Sequence, residues 1–124
     1  MARIAILTVS DRASRGEYED RGGPAAEDWL RKAITSDIEV LRRITPDGRA
    51  EVAAALIEMA DVWGADLILA TGGTGPSPRD LTPEAVEDVV SMHLAGFGEA
   101  MRAANSRVVA TAILSRQEIG RAHV

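Results

Sequence analysis

The chain has 124 residues, of which 46% are apolar, 27% charged and only 3% aromatic, and its formal net charge is −5. That length suits one domain with an aliphatic core and is too short for two, and the composition is that of a folded chain, not a disordered one. The basic residues, all Arg except Lys32, are scattered among acids, which argues against a nucleic-acid surface, and the absence of cysteine excludes disulfides and thiolate metal sites.

The run Arg3 to Ser10 (RIAILTVS) is short, apolar and β-branched, as in a strand buried on both faces. It is too short for a signal segment or a membrane span, so a cytoplasmic protein with no membrane association is expected. A charged, glycine-bearing loop follows to about Gly23. Pro24 then opens a helix whose apolar stripe is Ala26, Trp29, Leu30, Ala33 and Ile34. Ile38 to Ile44 reads as a second strand, closed by the turn Pro46-Asp47-Gly48. Val52, Leu56, Met59, Ala60 and Trp63 give helical spacing up to Gly64, and Leu67 to Ala70 is a third strand. Thr82 reads as a helix cap with Pro83 in the first position, ahead of Ala85, Val86, Val89 and Val90. Gly96-Phe97-Gly98 is expected to break the chain before a short helix at 99–104, and Val108 to Leu114 (VVATAIL) is a fourth strand.

Strands alternating with helices imply right-handed crossovers and a mostly parallel sheet between helical layers, a three-layer α/β/α domain. Ligands of such sheets bind beyond the carboxyl ends of the strands. Here those ends carry Ser10-Asp11, Pro46-Asp47-Gly48 and Thr71-Gly72-Gly73-Thr74-Gly75. The tail after Arg116 has no periodicity, and EIGRAHV reads like a translated sequencing adaptor. The domain is therefore expected over 1–117, incomplete at its C-terminal end, with 118–124 a non-native tail.

A glycine loop directly after a buried strand turns several N–H groups toward one point, which suits a phosphate or another oxyanion; the other reading is a tight strand-to-helix connection. It lacks the lysine of a Walker motif and the spacing of a dinucleotide fingerprint. Ser10-Asp11 and a lysine-free C-terminal half count against a receiver domain. Asp80 beside a phosphate nest calls for a bridging cation such as Mg²⁺, unless it pairs with Arg79 or faces the helix start. Asp47 reads as a turn or cap residue that can also face metal-bound water. Asp11 and Asp20 bracket the first loop, whose Gly16, Gly22 and Gly23 imply mobility or close backbone approach; His93 and His123 carry no assigned chemistry.

Together, Thr8-Val9-Ser10-Asp11-Arg12, Tyr18-Glu19-Asp20-Arg21-Gly22-Gly23-Pro24, Thr71 to Gly75 with Arg79-Asp80-Leu81-Thr82-Pro83-Glu84-Ala85, Gly96 to Arg102, and Ala112 to Arg116 resemble the molybdopterin adenylyltransferases of molybdenum-cofactor synthesis. The resemblance runs from about Ile4 to Arg116. It implies a molybdopterin-binding-domain fold, usually a homotrimer, that joins AMP from ATP to the terminal phosphate of molybdopterin with Mg²⁺ and releases pyrophosphate, with a molybdate-inserting protein as a candidate partner. It places the catalytic, metal-holding aspartates at Asp47 and Asp80. It assigns substrate contacts to Ser10, Asp11, Asp20, Gly22, Gly23, Thr71, Gly72, Gly73, Thr74 and Gly75.

Two places depart from that pattern. Where the family often has a substrate-contacting Ser, this sequence has Asn105 followed by Ser106, and these two are expected to contact substrate in its place. The family also continues past Arg116 into a further strand and a Leu-Pro-Gly-x-Pro loop that this sequence does not contain. The rival functional class is a non-catalytic molybdopterin-binding carrier or trimeric scaffold, and a third option is one domain of a larger fusion protein.

Overall fold

The computed structural model describes residues 1–122. Three parallel strands form the sheet, in the order β2-β1-β3: β1 (Ala2–Val9), β2 (Ile38–Thr45) and β3 (Leu67–Thr71). The central position of β1 follows from its sequence. From Ile4 onward the residues facing both sides are apolar apart from Thr8, and Ile4 to Val9 are buried throughout. Register runs Ala2 opposite Ile38 through Val9 opposite Thr45, and Ile4 opposite Leu67 through Thr8 opposite Thr71.

The two faces carry separate clusters. Ala5, Leu7 and Val9 pack with Val52, Leu56 and Met59 under α3 (Arg49–Ile57) and with Ala85 of α4 (Thr82–Val89). Ile4 and Ile6 pack with Leu30 of α2 (Gly22–Ala33) on the other face. This is the expected three-layer arrangement. Only Leu30 of the apolar stripe of α2 is deeply buried, and Trp29 is 67% exposed, because α2 covers β1 and β2 and leaves the outer strand open. On that same face Leu67 and Leu69 of β3 are 45% and 36% exposed.

Several elements differ from their expected form. The third helix leaves α geometry at Ile57 and continues as a π turn over Glu58–Val62, which buries Met59 and Ala60. Thr82 is the first helical residue of α4, not its cap; Leu81 holds the cap position, and Pro83 comes second. Gly96 and Gly98 do not break the chain but lie inside α5 (Ala95–Ser106), where a glycine only lowers propensity. Val108 to Leu114 is not a fourth strand. Ala110–Leu114 is a 3₁₀ turn held by local bonds such as Ser115 N to Ala112 O at 3.1 Å and packed along α5. Strand preference expresses packing on a sheet, and without a ladder partner the β-branched residues fold locally. The tail is not structureless within the described residues: Gly120–Arg121 (β5) pairs antiparallel with Met92–His93 (β4). His123 lies outside them. No helix among the described residues is long and apolar enough to cross a membrane.

Candidate active site

The carboxyl ends of the three parallel strands meet at one rim. β1 ends in Ser10 and the short helix α1 (Asp11–Ser14), β2 in Pro46-Asp47-Gly48, and β3 in the glycine loop. A cavity of about 420 Å³ opens between the first and third of these, lined by Thr8 to Ser10, Tyr18 to Gly22, Thr71 and Gly72. It gathers Ser10, Asp20, Gly22, Thr71 and Gly72 of the expected site. The Ser10 hydroxyl accepts from Ala13 N at 3.2 Å and shares a 2.8 Å bond with the Tyr18 hydroxyl.

Asp20 serves the fold of this wall. One oxygen accepts from the Thr8 hydroxyl at 2.9 Å and the other from Gly23 N at 3.2 Å, which holds the first turn of α2 against β1. A Cβ at Gly23 would stand 2.6 Å from Asp20 Oδ2, so this close approach needs glycine.

Beyond the cavity three loops are cross-linked. Asp11 N donates to Asp47 Oδ2 at 3.0 Å, and Asp47 N donates to Asp11 Oδ1 at 3.1 Å. Arg79 adds a two-pronged pair to Asp11 at 2.8 and 3.0 Å and donates to the Asp47 carbonyl at 2.9 Å. The guanidinium holds the Asp11 carboxyl below its ordinary pKa, and the carboxylate raises that of Arg79. Two readings from sequence are corrected here. Arg79 pairs with Asp11 and leaves Asp80 free of it. Asp47 does not cap α3, whose cap position is Gly48 with no side-chain bond.

The glycine loop sits between these groups. Gly72 has φ +97°, and a Cβ there would strike the Val9 carbonyl, so only glycine lets the loop fold back over the end of β1. Its carbonyls are all engaged. Gly72 O accepts from the Thr82 hydroxyl at 2.8 Å, Gly73 O from Thr82 N at 3.1 Å, Thr74 O from Arg116 N at 2.7 Å, and Gly75 O from Arg116 Nε at 3.0 Å. Among the described residues all peptide bonds are trans, so each N–H points opposite to the preceding carbonyl. The amides of Gly73, Thr74 and Gly75 therefore turn away from Thr82 and Arg116, and among the described residues they donate to nothing. The tight connection and a donor cluster suited to an anion are compatible here, because the bonds that close the turn also orient the free amides.

Both aspartates reach the nest. Asp47 Oδ1 lies 3.3 Å from the Cβ position of Gly73, and Asp80 Oδ2 lies 2.8 Å from that of Gly75. Ser77 N occupies Asp80 Oδ2 at 3.1 Å, leaving one oxygen on each aspartate without a hydrogen bond among the described residues. Among the described residues, no group of three or more His, Cys, Asp or Glu side chains forms a metal cage there. Two carboxylates beside a phosphate nest do suit Mg²⁺, which keeps several waters and takes the rest of its shell from phosphate.

The match to known proteins is to the family described as a probable molybdopterin binding domain, over residues 5–124. The chain belongs to this molybdopterin-binding-domain family. It is 47% identical over 115 residues to the molybdopterin adenylyltransferase of Escherichia coli (strain K12), covering 93% of this chain and 59% of that protein. It is 46% identical over 117 residues to the molybdopterin adenylyltransferase of Helicobacter pylori (strain ATCC 700392 / 26695), covering 94% and 66% respectively. Among solved structures, the molybdopterin biosynthesis Mog protein of Mycobacterium ulcerans superposes with TM-score 0.84 at 36% identity, covering 98% of this chain and 78% of that one. The tungsten cofactor synthesizing protein MoaB of Pyrococcus furiosus gives 0.83 at 36%, covering 97% and 72%.

Asn105 and Ser106, at the end of α5, do not line the cavity, and the Ser106 hydroxyl bonds back to Ala103 O at 2.9 Å. Tyr18, Arg79, Thr82 and Arg116 were all present in the motifs that carry the family likeness. Their roles as wall, loop lock and carbonyl anchors depend on partners up to 68 positions away, which no local pattern reveals.

Proposed function

We propose that this chain transfers AMP from ATP to the terminal phosphate of molybdopterin and releases pyrophosphate. The observation that carries the proposal is the row of undonated amides at Gly73, Thr74 and Gly75 with Asp47 and Asp80 at its two ends. The curated relatives bearing that activity in their names support it, and this chain spans 59% of the length of the Escherichia coli one.

Phosphoryl-type transfer needs positioning and charge neutralisation more than an enzyme nucleophile. An oxygen of the pterin phosphate attacks the α-phosphorus of ATP. The new P–O bond forms as the bond from that phosphorus to the bridging oxygen of the β-phosphate breaks, and pyrophosphate carries the electron pair away. The amides of the glycine loop hold phosphate oxygens in line, assisted by the hydroxyls of Thr71 and Thr74. The cavity walled by Ser10, Tyr18 and Asp20 receives the substrate carrying the acceptor phosphate. Asp47 and Asp80 would hold Mg²⁺, which offsets the polyphosphate charge when bound. Asp11 acts beside them by fixing Asp47 through its backbone amide.

ATP is then the co-substrate and Mg²⁺ the cofactor, in a cytoplasmic enzyme. The open apolar face at Leu67 and Leu69 supports a self-associated form, read as a homotrimer. A molybdate-inserting protein is the expected recipient of the product.

Incubating the chain with molybdopterin, ATP and Mg²⁺ should give adenylylated pterin and one equivalent of pyrophosphate. Asp80→Ala should reduce turnover by about 100-fold or more while weakening pterin binding little. Binding without product would favour the carrier reading, and full turnover in Asp80→Ala would remove the metal role.

A further inference from the structure

We infer that Arg116 is a positioning residue that holds the second half of the glycine loop in its anion-binding form; this rests on the reading of that loop as a phosphate site. Arg116 lies 41 positions beyond Gly75 in sequence, outside every cavity wall described above, yet it anchors the second half of the loop as Thr82 anchors the first. Its backbone amide binds Thr74 O at 2.7 Å, its Nε binds Gly75 O at 3.0 Å, and its Nη2 binds the Asp80 carbonyl. Glu84 of α4 orients the guanidinium from the far side, with contacts of 2.6 and 3.1 Å.

Guanidinium geometry explains why arginine stands here. Its planar fork donates in several fixed directions, so one side chain spans two carbonyls five residues apart and a carboxylate on the next helix. A lysine would bring a point charge and reach fewer of these partners at once. The consequence falls on the opposite side of each peptide. The Arg116 backbone amide, by fixing Thr74 O, turns Gly75 N–H away from Arg116; the guanidinium fixes Gly75 O, ahead of Pro76, which has no N–H, and Asp80 O, which turns Leu81 N–H away and sets the backbone from which the Asp80 carboxylate projects. Thr82 performs the equivalent task for Gly73 and Thr74 through the carbonyls of Gly72 and Gly73. Nothing else among the described residues fixes the carbonyls of Thr74 and Gly75.

Without the guanidinium the carbonyls of Gly75 and Asp80 lose their anchor while Arg116 N still holds Thr74 O, so the turn after Gly75, the Leu81 N–H and the Asp80 carboxylate lose their fixed places beside the amides. The loop then adopts the binding form only part of the time, and affinity falls by that fraction.

The test is pyrophosphate binding to the whole 124-residue chain, followed by calorimetry and by the amide resonances of Gly73, Thr74, Gly75 and Leu81. Arg116→Ala should weaken binding at least about tenfold, well below its melting temperature, with free guanidinium ion restoring part of the loss. Arg116→Lys should resemble Arg116→Ala. Glu84→Gln keeps every backbone anchor and removes only the orienting charge; it should weaken binding by a smaller factor, about threefold, and it serves where Arg116→Ala does not fold. A structural role alone would lower the melting temperature and leave affinity and loop resonances unchanged, and that result overturns the assignment. If the unsubstituted chain binds no pyrophosphate at all, the phosphate reading of the loop fails and takes this inference with it. If it binds and the variants bind equally, only the role of Arg116 fails.

Discussion

The fold-back of the glycine loop can be weighed by adding one methyl group at each of two glycines. Gly16 and Gly72 both have positive φ, +74° and +97°, but a Cβ at Gly16 meets nothing within 4 Å whereas one at Gly72 runs into the Val9 carbonyl. Placing Ala in the left-handed region costs about 1–2 kcal/mol. Reduced freedom of the unfolded chain returns about 0.4–1 kcal/mol of that, so Gly16→Ala should cost roughly 1 kcal/mol or less. At Gly72 the obstacle is backbone at the end of the central strand, beside Val9, which is only 4% exposed, so it cannot give way as a side-chain tip would. Overpacking of this kind adds about 1–3 kcal/mol. Gly72→Ala should therefore cost about 2–4 kcal/mol, a melting temperature lower by roughly 10 °C for a domain of this size. Thermal unfolding followed by circular dichroism measures both variants. Equal losses at the two positions would refute the claimed collision and, with it, the argument that glycine is required there for close approach.

Leu7 of β1 is fully buried under α3, and Leu7→Ala should cost about 2–5 kcal/mol by urea unfolding, whereas Leu69→Ala on the open face should cost under about 1 kcal/mol. Stability should also depend on acid in a stated direction. The pKa values of Asp11, Glu84 and Asp88 are each lowered by a bonded arginine, Arg79, Arg116 and Arg49. Carboxylates lowered in the folded state contribute stability above their ordinary values, 3.8 for Asp and 4.5 for Glu, and that contribution is lost as pH falls through and below them. The melting temperature should hold from neutrality to about pH 5 and then decline, with a shallower decline in Arg79→Ala; an unchanged acid limb in that variant would contradict the pairing.

The sheet was legible in the sequence because β1 and β3 are short apolar runs and β2 carries Ile, Val and Leu between its charged residues, each strand being followed by a polar or glycine-rich turn. Those turns do lie on one rim, as the parallel topology requires. VVATAIL shows the limit of that signal. Its composition is that of a strand, but pairing is decided by a neighbour, and the segment closes on itself against α5. Trp29 shows another limit, since helical spacing marks a stripe and cannot say how much sheet lies beneath it. In the site, the types of Asp11, Asp47 and Asp80 were readable and their partners were not. Arg79 was free to choose its sequence neighbour Asp80 or the distant Asp11, and the fold brings Asp11 and the Asp47 carbonyl within reach of the same guanidinium.

The central claim is that two aspartates and a row of loop amides hold a metal-bound polyphosphate at one rim. The most direct measurement is a crystal structure of the chain with an ATP analogue that cannot be cleaved between its α- and β-phosphates, soaked with Mn²⁺ so that the metal is located by anomalous scattering. The account predicts phosphate oxygens on the amides of Gly73 to Gly75 and the metal between Asp47 and Asp80. Phosphates seated instead in a separate hollow between β2 and α3, lined by Arg43, Glu51, Glu58 and Trp63 among others, or a metal that touches neither aspartate, would contradict it.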